Sequence, residues 1–152
     1  MSVKKILTEP NKMLRQVSKN VEKVDNVERE LMDDMLDTMY DAPGIGLAAI
    51  QIGIPKRIIV MDISKDENKK EPRYFVNPII KNKNDEKAKY EEGCLSVPDQ
   101  FAEIERPNTC EVEYLDYNGK KQILKATGLL ATCIQHEMDH LEGILFIDYL
   151  SK

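Results

Sequence analysis

The chain contains two histidines, and they stand four residues apart in the run His136, Glu137, Met138, Asp139, His140. On a helix, four residues advance about 400° and about 6 Å, so both imidazoles leave one face a turn apart and can converge on one ion. Glu137 lies about 100° around from His136, beside such an ion instead of on it, where a carboxylate can take a proton from water. These residue types at this spacing are the equipment of metal-assisted hydrolysis. The plain alternative is a pair of surface histidines with solvated carboxylates. Against it, the flanks are apolar, and buried histidines and carboxylates need partners, which an ion and the groups behind its ligands provide.

Such a site normally uses three protein ligands and keeps a fourth position for water. Cys94 and Cys133 compete for the third place. Cys133 shares the histidines' helical face but lies about 7.5 Å along the axis from the point midway between them, which a cysteine side chain does not span easily. Cys94 sits between Gly93 and Leu95, where glycine permits the close approach of an incoming loop. The spacing favours Cys94 and leaves Cys133 as small apolar packing, with a pocket wall as its further role. Cys110 reads as an inward-facing strand residue. Residues 44–51 carry Gly44 and Gly46 beside Ala48 and Ala49 and end on Gln51. Alone, this segment reads as well as a tight turn against a core. It lacks the third glycine and the preceding strand of a dinucleotide fingerprint.

The elements that must hold these residues follow from periodicity. Residues 128–142 place Leu130, Ile134 and Leu141 on one side and Leu129, Cys133, His136 and His140 on an adjacent one, which predicts a mostly buried helix. Gly143 stands where a left-handed C-terminal cap would close it. Residues 27–40 carry Leu31, Met35 and Met39 at four-residue spacing, a second helix with Asp25 or Asn26 as its cap and Pro43 beyond its end. The run Ile58, Ile59, Val60, Met61 predicts a buried strand, residues 74–80 predict another, and residues 64–73 between them a charged loop. Residues 110–117 alternate before Asn118 and Gly119, a hairpin signature. Helices and antiparallel strands without a βαβ rhythm make the class α+β, with antiparallel sheets packed around a central buried helix that carries the histidines.

Length and composition bound the rest. With 152 residues the chain has the size of one domain, taken as 1–152, and its 41% hydrophobic and 32% charged residues fit a globular protein. A net charge of -5 gives no field for holding a phosphate backbone, so nucleic acid is not expected as a ligand. The basic residues within 81–89 are mixed with acidic ones and read as a solvated loop. No apolar run reaches the roughly 18 to 20 residues that cross a bilayer, and the N-terminus lacks a secretory pattern, so a cytoplasmic location is expected. Three scattered cysteines argue against a disulfide framework and for a reducing compartment.

Taken together, residues 44–51, 92–96 and 135–143 resemble the peptide deformylases, whose pattern is GxGLAAxQ, then EGCLS, then QHExDHLxG. A lone HExxH is shared by many metallopeptidases, whereas three segments in this order are specific. The likeness extends through Ile6, Leu7, Leu14 and Arg15 to Leu145 and Phe146. It implies a hydrolase that removes the formyl group from N-terminal formyl-methionine of nascent polypeptides and releases formate. Cys94, His136 and His140 would bind the metal, with Glu137 as base and with Gln51 and the Leu95 N–H as contacts to the oxyanion. The family characteristically uses Fe2+, while Zn2+, Ni2+ or Co2+ also fit such a site. The peptide would lie extended near Ile45, Gly46 and Gly93, with its methionine in a pocket of Ile45, Tyr90, Leu129, Thr132 and Cys133.

Two departures from the family stand out. Phe101 occupies a position where some bacterial members carry arginine, which puts contacts beyond the methionine in doubt, whereas Arg106 matches a basic residue common in the family. The chain stops at Lys152, where many bacterial relatives continue into a C-terminal helix with a basic tail, so the resemblance leaves transient ribosome association open. The rival readings are a general metallopeptidase or aminopeptidase, weakened by the cysteine ligand, and a noncatalytic binder of formylated peptides, weakened by Glu137 and Gln51.

Overall fold

The computed structural model describes residues 3–64, 68–84 and 86–150. The predicted charged loop at 64–73 therefore lies partly outside the described residues. Helix α1, Asn26–Asp41, buries Leu31, Met32, Met35 and Met39 on one face, each such side chain contributing about 1.5–3 kcal/mol by leaving water. Of the two candidate caps the structure uses Asp25, which accepts from the Val27 N–H at 2.9 Å while Glu28 accepts from the Asp25 N–H at 3.3 Å. This reciprocal pair satisfies two donors that the first turn leaves open. Helix α2, Gly128–Leu141, is the buried helix expected, and Gly143 beyond it has φ 76. A side chain at position 143 would run into the Arg15 carbonyl, so both conformation and space require glycine there.

Five antiparallel strands form the main sheet: β1 (Gly46–Ala48), β2 (Ile58–Met61), β3 (Arg73–Lys83), β6 (Thr109–Leu115) and β7 (Lys121–Thr127), ordered β1-β2-β3-β6-β7. Strand β2 is buried throughout because helices cover both faces of the sheet. Ile58 and Val60 join the α1 residues in one apolar cluster, while Ile59 and Met61 join Ala131, Cys133 and Ile134 of α2 in another. A strand covered on both sides has no polar face, which is why its sequence is a continuous apolar run. The predicted hairpin is β6–β7, with the Asp116 carboxylate accepting from the Asn118 and Lys120 N–H groups and Gly119 at φ 82.

Strands β4 (Lys87–Cys94) and β5 (Val97–Pro107) pair as a second, two-stranded sheet. Here the sequence reading is corrected. Residues assigned to a solvated loop at 81–89 end β3 and begin β4, and the segment 92–96, read as a loop, is the end of β4 followed by a turn at Leu95 and Ser96. The cause is that β4 buries a carboxylate, Glu92, where a strand usually buries an aliphatic residue. Val97 and Ile104 of β5 pack with Leu145 and Phe146, the latter opening a 3-10 turn at Phe146–Leu150. Among the described residues, no helix is long and apolar enough to cross a membrane.

Candidate metal centre

The site forms where α2 passes between the two sheets. His136 and His140 project from α2 one turn apart, with ring centroids 5.0 Å from each other. Cys94 reaches them from the last residue of β4, its Sγ 3.3 Å from His140 Nε2. One donor atom from each of Cys94, His136 and His140 lies within 4.8 Å of the other two. Donors around a tetrahedral ion stand about 3.3–3.6 Å apart, from bonds of about 2.0–2.3 Å, so a small contraction closes this set on a divalent cation. A thiolate and two imidazoles suit iron, zinc, nickel or cobalt. The residues present therefore fit the ion that the spacing of the histidines predicts.

Orientation comes from behind the ligands. His136 Nδ1 bonds Glu92 Oε1 at 2.9 Å, which turns Nε2 toward the cysteine. Glu92 is held in turn by Arg106, with Nε to Oε2 at 2.6 Å and Nη2 to Oε1 at 3.0 Å. The remaining edge of the guanidinium donates from Nη1 to Asp139 Oδ2 at 2.9 Å, and the Tyr149 hydroxyl donates to the same oxygen at 2.7 Å. Sequence reasoning gave no role to Glu92, Asp139 or Tyr149. The available signal was the crowding of acids around an HExxH helix, which demands a cation; the partner, Arg106, lies far off in sequence.

The two imidazoles experience opposite fields. Burial pulls His136 down, but the Cys94 sulfur and the Glu92 carboxylate, with Glu137 behind them, outweigh it and hold the imidazole's pKa up to about 10. His140 is driven well below its ordinary value by burial and by His136, so it presents a neutral ring. Burial raises Glu137 to about 7, where a carboxylate can both accept and return a proton near neutrality. Its Oε2 is 4.0 Å from His136 Nε2, and its buried Oε1 has no hydrogen-bond partner among the described residues. Burial also raises the Cys133 thiol well above its ordinary value, which suits a wall and not a ligand.

Gln51 is fixed by the 3-10 turn Ala49–Ile52 that follows β1. Its Oε1 accepts from the Ala48 N–H at 2.9 Å, while Nε2 donates to Ser96 Oγ at 3.0 Å and stands 3.6 Å from Cys94 Sγ. Leu95 occupies the turn after Cys94, and its side chain packs so near Gly44 that a Cβ there would meet Leu95 Cδ1 at 2.7 Å. Gly46 brings β1 backbone against the acid: a Cβ at this position would stand 2.7 Å from Glu137 Oε2. A cavity of about 600 Å³ opens here, and Ile45, Gly46, Tyr90, Gly93, Leu129, Thr132 and Cys133 all line it, together with Gln51, Cys94, Leu95, His136 and Glu137. His140 is fully buried behind them.

Comparisons with known proteins agree with this geometry. Residues 3–152 match the model of the family described as Polypeptide deformylase. The chain is 86% identical, over all 152 residues and 88% of the relative's length, to a peptide deformylase of Pelagibacter ubique (strain HTCC1062). It is 57% identical to that of Rhizobium meliloti (strain 1021), covering 87% of it. A crystal structure of peptide deformylase from Ehrlichia chaffeensis in complex with actinonin superposes with a TM-score of 0.93 at 51% identity, over 100% of this chain and 91% of that one.

Proposed function

This chain belongs to the polypeptide deformylase family, and on that premise we propose how its residues perform the family's reaction. It is a metal-dependent hydrolase that removes the formyl group from N-terminal formyl-methionine of nascent polypeptides and releases formate. Residues 1–152 act as one catalytic domain. Cys94, His136 and His140 hold the cation. The native ion is ferrous iron, with zinc, nickel or cobalt able to take its place. Bound there, the ion supplies Lewis-acid polarisation of the formyl carbonyl and acidifies water.

Glu137 accepts the proton of the attacking water, and its freedom for this task is supported by an Oε1 that has no hydrogen-bond partner among the described residues. The Gln51 amide and the Leu95 backbone N–H donate to the oxygen that becomes negative as the tetrahedral carbon forms. Gln51 suits this task because its carbonyl is pinned to Ala48, so its NH2 group already faces the reaction centre. Glu137 then returns the proton to the leaving amine nitrogen. The peptide lies extended beside Ile45, Gly46 and Gly93, and its methionine enters the cavity between Tyr90, Leu129, Thr132 and Cys133. The enzyme works in the cytoplasm on nascent chains.

The observation that carries this reading is the convergence of one sulfur and two imidazoles within 4.8 Å at the wall of a 600 Å³ cavity, with a buried carboxylate beside them. The test is formate release from formyl-Met-Ala-Ser, set against unformylated and internally blocked peptides, on protein prepared without oxygen and analysed for metal. Release from the formylated peptide alone supports it. Cleavage of internal bonds only would assign the site to a general metallopeptidase.

A further inference from the structure

We propose that Tyr149 is a positioning residue for the metal ligand His136, acting through Asp139, Arg106 and Glu92. The proposal rests on the ligand set given above and goes beyond it, because Tyr149 touches neither the ion's ligands nor the cavity. Four contacts in series connect it to the imidazole: hydroxyl to Asp139 at 2.7 Å, Asp139 to Arg106 at 2.9 Å, Arg106 to Glu92 at 2.6 and 3.0 Å, and Glu92 to His136 at 2.9 Å. The three inner members leave little slack. Both Glu92 oxygens are taken by the guanidinium fork, so the carboxylate cannot rotate about its own axis without breaking two charge-assisted bonds. The Arg106 and Glu92 side chains are each only 5% exposed, so water cannot readily substitute for a lost partner.

Tyr149 is the outer stop of this row and grips it twice. Its hydroxyl holds the Asp139 carboxylate, and its ring lies under the Arg106 guanidinium, 5.0 Å from centroid to Cζ. The ring is itself anchored. Its 3-10 turn is tied to the body by Arg15 to Asp148 at 2.6 Å and by the Leu145 N–H to the same carboxylate at 3.1 Å. Tyr149 is 45% exposed, so its hydroxyl would be satisfied by water at almost no cost to folding. What the bond to Asp139 does instead is fix which edge of Arg106 faces Glu92, and hence the direction in which Glu92 holds His136 Nδ1. A rotated imidazole offers the ion a misdirected lone pair, and groups behind a ligand typically govern affinity by about 10-fold or more.

The experiment compares Tyr149→Phe, which keeps the ring and loses the hydroxyl, with Tyr149→Ala, which loses both grips. Tyr117→Phe removes a remote hydroxyl that bonds Asp33 on α1 and serves as control. Each full-length protein is loaded with cobalt or zinc, and three quantities are read: the dissociation constant by chelator competition, the cobalt absorption spectrum, and the melting temperature of the ion-free form. The expected result is affinity weakened about 3-fold by Phe and about 10-fold by Ala, a shifted cobalt spectrum, an unchanged KM for formyl-Met-Ala-Ser, and melting within about 2 °C of the parent. Unchanged affinity and spectrum in both variants would overturn the proposal. So would a loss of ion-free stability that tracks the loss of affinity, since that marks a merely structural contact. A parent that binds the ion but releases no formate refutes the proposed reaction and leaves this comparison intact; a parent that binds no ion refutes the ligand set and this proposal together.

Discussion

Gly46→Ala tests the placement of the Glu137 carboxylate, proposed above as the base, by setting one methyl group against it. The glycine is not in the left-handed region, so alanine brings no backbone strain, and the whole effect comes from one methyl group. That methyl would stand 2.7 Å from Glu137 Oε2, about 0.7 Å inside ordinary contact, with Cys133 Sγ at 3.2 Å closing the other side. The carboxylate tip is the movable partner and must withdraw by roughly 0.5–1 Å, and a displacement of that size at a reacting group costs about 100-fold in rate, or about 2.7 kcal/mol of barrier. The fold loses much less, near the lower end of the 1–3 kcal/mol typical of overpacking, because a side-chain end yields and no backbone does. Steady-state formate release, metal content and thermal melting on one preparation read all three quantities. Full metal with kcat/KM down about 100-fold is the expected pattern; a variant that keeps parental kcat/KM would show that the position of Glu137 does not set the rate.

Cys94→Ala should abolish tight metal binding, whereas Cys133→Ala should leave one equivalent bound; metal loss on changing Cys133 alone would reverse the assignment. In the ion-free protein, folded Glu137 holds its proton up to about pH 7, against an ordinary value of 4.5. The folded state therefore binds more protons between these values, and its stability falls as pH rises through that window. Glu137→Gln removes this contribution, so urea melts should show the variant gaining on the parent by on the order of 2 kcal/mol from pH 4.5 to 7.5. Parallel pH profiles would exclude the shift.

Much of this was legible in sequence because periodicity and function coincided. The α2 pattern placed both imidazoles on one face and put Gly143 at the cap, and the continuous apolar run of β2 announced a strand covered on both sides. The choice of Cys94 over Cys133 followed from helical rise and from the glycine beside Cys94, and the structure brings the Cys94 sulfur, not that of Cys133, into the cluster. The smaller sheet was not legible, for a physical reason. Its inward face spends a position on Glu92 and its partner strand spends one on Arg106, so buried charge interrupts the apolar alternation of Ala88, Tyr90 and Cys94 on one strand and of Ala102 and Ile104 on the other. The same pair hid the support of His136, since charges 14 residues apart become neighbours only through the pairing that aligns Ala88 with Arg106 and Glu92 with Ala102.

The proposed ligands come from separate pieces of the molecule: the imidazoles from a helix packed on the large sheet, the sulfur from a hairpin paired only within itself among the described residues. Lifting that hairpin would withdraw the sulfur from the imidazoles without breaking a pairing of the five-stranded ladder. Arg106 and Glu92 ride on the same hairpin and clasp α2 at Asp139 and His136. The latch that resists such lifting and the sulfur it would carry away thus sit on one hairpin.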